Sequence, residues 1–105
     1  MANILNLPKP WYSTEHARTV DQLFDPNVER VHGDIPFHVA QYQNLEVVIL
    51  DEQGRIRKQL IKSVRYGPGN YTMPIDLWVK HWEKGEYTIE LRSDDHMLKR
   101  ETFEI

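Results

Sequence analysis

Residues 85–91 read Gly-Glu-Tyr-Thr-Ile-Glu-Leu, an unbroken alternation of polar and apolar side chains. A period of two marks a strand with one buried face, and it argues against a helix over the same residues. Leu45, Val47 and Ile49 repeat that period upstream, but here Val48 and Leu50 make the other face apolar as well. Apolar side chains on both faces suit a central strand, or one whose outer face is covered by another part of the chain. Asp51-Glu52-Gln53-Gly54 then turns the chain, with glycine supplying the positive φ of a bulged hairpin. Between these strands, Tyr71, Met73 and Ile75 alternate into Asp76. Residues 45–91 therefore specify stacked antiparallel strands.

The flanking segments read less uniformly. Pro8 and Pro10 disfavour helix, so residues 1–12 are expected to form an extended arm. Leu5 and Leu7 would add a short strand there, with Trp11 and Tyr12 as anchors on the body. Over residues 13–24, Ser13 is a fair N-cap, and Ala17, Val20 and Phe24 recur at helical spacing. A short helix is expected, a strand or loop being the alternative. Val28 to His32 suit a strand, and Gly33-Asp34 a turn. Ile35, Phe37 and Val39 share an apolar face, with Pro36 favouring an edge or a strand start. Residues 41–44 read as a polar connection. Residues 55–64 return as a strand with Ile56 and Leu60 inward, and residues 66–70 as a loop. Residues 78–82 read as an insertion or helical turn. Ser93-Asp94-Asp95-His96 turns the chain into a last strand with Phe103 and Ile105 toward the core.

At 105 residues with 40% hydrophobic and 28% charged side chains, one domain spanning residues 1–105 is expected, with the sandwich over residues 28–105. The chain has no cysteine, which excludes disulfides, zinc–thiolate sites and thiol nucleophiles. A net charge of −3 with mixed signs gives no case for nucleic acid, Arg55, Arg57, Lys58, Lys62 and Arg65 being the only basic cluster. No apolar run approaches membrane-spanning length and no signal peptide is visible, so a cytoplasmic location is expected if Met1 is the native start.

Val47-Val48-Ile49-Leu50-Asp51 with Gly54, then Gly69-Asn70-Tyr71, Ile75-Asp76-Leu77 and residues 85–91 together resemble a family pattern. It is that of the bacterial immunoglobulin-like or fibronectin type III-like sandwiches found in type IX secretion C-terminal sorting domains and the flagellar hook cap. The resemblance spans roughly residues 35–105. It implies an all-β fold: a single immunoglobulin-like antiparallel sandwich of roughly six to eight strands, here with the arm and one short helix added. It also implies that Tyr87 caps a crossing connection with its hydroxyl, and that the module is not an enzyme. Residues 76–85 are longer than the family's usual link, and the first 34 residues have no counterpart in it.

No constellation for chemistry stands out. Ser13, Ser63 and Ser93 lack a nucleophile-elbow context. The five histidines lack helical metal spacing, which leaves a fold-assembled site from His32 or His38 with His96 and Asp94 or Asp95 as the remote case. Gly67-Pro68-Gly69 lacks the rest of a phosphate loop. No cofactor is expected. The aromatics carry more weight: Trp11, Tyr12, Tyr66, Trp78 and Trp82 are the candidate binding residues, Trp78 and Trp82 sharing a face if their segment is helical. The bland alternative is that these rings plug the ends of the sandwich. The leading expectation is a non-catalytic interaction or assembly module, bacterial or phage in kind. It would bind a protein partner or copies of itself through arm, strand edge and exposed aromatics, with no nucleic-acid or membrane partner. A carbohydrate-binding module is second, and a small metal-dependent hydrolase third.

Overall fold

The computed structural model describes residues 10–16, 28–94 and 96–105. Seven strands run in order: β1 (Tyr12–His16), β2 (Val28–Val39), β3 (Gln43–Leu50), β4 (Ile56–Tyr66), β5 (Gly69–Trp78), β6 (Glu86–Ser93) and β7 (His96–Glu104). They form two antiparallel sheets, of order β1-β2-β5 and β4-β3-β6-β7, packed as a β-sandwich. The alternating positions make the layer between them. Val31, Ile35, Phe37 and Val39 of β2, with Met73, Ile75 and Leu77 of β5, meet Leu45, Val47, Ile49, Tyr87, Ile89, Leu91 and Phe103. Fully burying each such side chain stabilises the fold by about 1.5–3 kcal/mol.

β3 is central, between β4 and β6. Its outward Val48 is fully buried, because Gln59 and Glu90 lie opposite it on either side. Glu90, itself buried, sits 2.7 Å from Arg92 and 3.8 Å from Arg100. The outer face of the larger sheet thus hides Val48 beneath polar and charge-paired side chains.

Several expectations are corrected. Ser13 caps no helix: residues 13–16 belong to β1, where pairing with β2 satisfies the backbone groups that a helix would have paired locally. The rest of the expected helix, and residues 1–9 of the arm, lie outside the described residues. Gly33-Asp34 does not turn; β2 runs straight through it. Glycine stands there because β1 crosses close: a Cβ on Gly33 would lie 2.5 Å from the Trp11 carbonyl oxygen. β1 pairs with β2 only as far as Gly33, so Pro36, farther along, has no neighbour from β1 and loses no ladder bond on that side. Residues 78–82 are not helical: Trp78 ends β5, and a short turn follows, with the Trp82 amide donating to the Val79 carbonyl at 3.0 Å. The loop expected over residues 66–70 shrinks to Gly67-Pro68. Ile56 faces out, 60% exposed, because a register shift between Ile49 and Leu50 sets it opposite the outward Leu50. Leu60 packs against the core as expected.

Two connections that cross between the sheets are held by tyrosines in the same way. The Tyr87 hydroxyl donates to the Glu83 carbonyl at 2.7 Å, and the Tyr71 hydroxyl to the Gly67 carbonyl at 2.8 Å. Each clasps the chain four residues upstream, just before its own strand. Burial pushes the Tyr87 phenol above its ordinary value, so the hydroxyl stays a donor to higher pH than an exposed tyrosine would. Tyr87→Phe keeps the ring and orphans the carbonyl, so it should destabilise the protein by about 1–2 kcal/mol. Urea denaturation measures this, and an unchanged midpoint would show that the clasp is idle.

Candidate functional site

The aromatic candidates divide into four that pack within the molecule and one, Trp78, that stays largely exposed with only the Arg30 guanidinium over its ring, 5.8 Å from the centroid. The Trp11 indole Nε1 donates to the Thr102 carbonyl at 2.7 Å, and the Tyr12 hydroxyl accepts from the Glu104 amide at 3.2 Å. Both rings meet Phe103 edge-on. They fasten the start of β1 onto β7 and cover backbone groups at that strand's edge. Tyr66 is half-buried between Phe37 and Tyr71, with centroids 5.7 and 5.0 Å away. Trp82 tilts against Tyr87 at 5.3 Å and is covered by the Arg57 guanidinium, 4.3 Å from its centroid. Trp78 alone is largely exposed, at 67%. Its neighbours Leu77 and Val79 are buried, so strand alternation turns it outward, away from Trp82.

The edges of the two sheets differ sharply. β5 carries Pro74, which cannot donate to an added strand. The uncovered half of β2 carries Pro36, and β7 is covered toward its end by Trp11 and Tyr12. β4 has none of these protections. It is eleven residues long, exposed at all but Leu60, Ile61 and Tyr66, and paired only with β3. Among the described residues nothing hydrogen-bonds its outer edge. It carries Arg57, Lys58, Lys62 and Arg65 and no carboxylate, whereas each of the other six strands has at least one Asp or Glu. Arg57 lies over Trp82, and Arg65 over Tyr42 at 5.3 Å. Lys58 and Lys62 have no ion pair among the described residues. Ile56 and Val64, at 60% and 47%, are two of the exposed large apolar side chains. The basic cluster was visible in the sequence; that it occupies a bare edge was not.

The outer face of the smaller sheet carries an ion network. Arg30 grips Asp76 with Nε at 2.6 Å and Nη2 at 3.1 Å, and reaches Glu15 at 2.7 Å, joining β1, β2 and β5. The hydrogen bond from Arg30 holds the Asp76 carboxyl below its ordinary value, and that to Asp76 holds Arg30 above its own. Register also aligns Ser13, His32 and Asp76 in one row across the three strands. The row lacks the hydrogen bonds of a nucleophilic relay: Arg30 occupies both Asp76 oxygens, and His32 Nε2 faces Glu15 at 3.6 Å. His38 bonds Asn70 instead of His96, and among the described residues no three His, Asp or Glu side chains group to hold a metal ion. No family model and no curated protein matches the chain.

Two measurements check this geometry. A carboxylate with a depressed folded pKa stabilises the fold above its unfolded value, near 3.8, and that stability is lost as pH falls through the folded value. Asp76→Asn should therefore be less stable than the parent at neutral pH, with the gap closing below about pH 4 in urea titrations. A gap independent of pH would refute the ion pair as its source. Trp78→Phe should remove the fluorescence component most readily quenched by acrylamide. If Trp82→Phe removes it instead, the assigned exposures are reversed.

Proposed function

We propose that this chain is a non-catalytic interaction module that binds an extended segment of a partner protein by adding it as a strand to β4. The observation that supports this reading is the bare edge of β4, in a molecule whose other long edges carry proline or are covered by side chains. A free edge offers a row of unpaired amides and carbonyls, and an extended peptide satisfies them. The affinity then comes from main-chain bonds and the selectivity from side chains beside the edge.

The immunoglobulin-like or fibronectin type III-like reading belongs to the same proposal. It is supported by seven antiparallel strands in two sheets, by β4 joining β3 instead of β5, and by the hydroxyl clasp of Tyr87 at the head of β6. A carbohydrate reading draws only on Trp78. Its expected companion Trp82 faces elsewhere and is stacked under Arg57, which leaves no paired platform.

Selection of displayed extended peptides against the intact chain tests the proposal. Binders should be recovered whose addition slows amide exchange along β4. Binders that protect only other regions, or no binders at all, would overturn it.

A further inference from the structure

Building on the strand-addition reading, we infer that the segment docking on β4 is an acidic one, an extended stretch carrying glutamate or aspartate among apolar residues. The chain as a whole is acidic, at −3, yet β4 concentrates four cations and no anion. Such a row repels its own kind. Two β4 edges paired across a two-fold axis would set Arg and Lys against Arg and Lys, and like charges opposite one another in a sheet are unfavourable. A second copy of this chain is therefore the wrong occupant for this edge, and a strand of opposite charge is the complementary one.

The side chains beside the edge narrow the choice further. Arg57 and Arg65 are held over aromatic rings, so both guanidinium groups are positioned before binding and lose less rotational freedom when a carboxylate arrives. Lys58 and Lys62, between them, are exposed. Ile56 and Val64, near the two ends, offer apolar contact. The eleven residues of β4 pair with eight of β3 through three register shifts, so at about 3.3 Å per residue the edge spans roughly 26 Å, long enough for about eight residues of partner. A single-stranded nucleic acid also brings negative charge, but it cannot satisfy the open backbone amides and carbonyls in register. The two rings it would stack on, Trp82 and Tyr42, are already faced by arginine.

The test uses the intact chain and three synthetic peptides of about ten residues, each with valine alternating with glutamate, glutamine or lysine. Fluorescence anisotropy gives affinity, and amide exchange gives location. The glutamate peptide should bind at least about tenfold more tightly than the glutamine peptide, slow exchange along β4, and weaken between about 50 and 300 mM salt. The double variant Lys58→Glu/Lys62→Glu, at two exposed positions, leaves two cations against two anions on β4 and should abolish the preference for the glutamate peptide over the glutamine peptide. Equal binding of the three peptides at β4 would overturn the acidic assignment and leave strand addition standing. Protection of β4 by none of them would overturn both. A thymidine oligonucleotide that binds these cations more tightly than the glutamate peptide, or dimerisation that protects β4 without peptide, would also overturn the assignment.

Discussion

The inward faces of β2 and β5 must lie against those of β3 and β6, and this contact organises the rest of the molecule. Each sheet has one face that water cannot be allowed to cover, and each hides it on the other. Ile35, Ile75 and Leu77 come from one side; Val47, Ile49, Ile89 and Leu91 from the other. Because successive side chains point to opposite faces, burying these positions also sets which residues look outward. Trp78 faces outward for this reason, beside Arg30: Leu77 and Val79 take the inside. The ion network of Glu15, Arg30 and Asp76 follows from the same alternation on three neighbouring strands.

A sandwich made this way leaves loose ends where the chain passes from sheet to sheet, and strand edges where pairing stops. The first are clasped by hydroxyls, with Tyr71 and Tyr87 each binding a carbonyl four residues back. The second are treated unequally. Proline blunts two edges, and the rings of Trp11 and Tyr12 close part of a third while pinning β1 to β7. β4 receives positive charge and three register shifts against β3, but no proline and, among the described residues, no covering side chain. Cations on an edge keep identical edges apart, and they leave the backbone groups unpaired and available to a strand of opposite charge. Protection from self-association and readiness for an acidic partner thus arise from the same four side chains.

The aromatic residues show how far the sequence could be read. Five were legible as candidates because large rings near loops and prolines are seldom idle. Their spacing did not tell which were structural. Trp11, Tyr12, Tyr66 and Trp82 meet partners 91, 92, 29 and 25 positions away, namely Thr102, Glu104, Phe37 and Arg57. Contacts of that range depend on how two sheets meet. The helix expected from Ser13 shows the same limit: a capping residue is a local preference, and pairing with β2 overrode it across residues 13–16. Gly33 has the local look of a turn for a similar reason, whereas its missing side chain admits the Trp11 backbone.

The sequence by itself determined that the chain is built mainly of strands, which faces of them are apolar, where the Asp51–Gly54 hairpin turns, and that β3 is apolar on both faces. Those properties are written in periods of two and in turn residues, and they need no knowledge of distant neighbours. Tertiary structure decided which strand stands at an edge, which aromatics are spent on closing the sandwich, and that the basic run lies along a bare edge. An edge is defined by the absence of a neighbour, and only the arrangement of all the strands shows where a neighbour is missing.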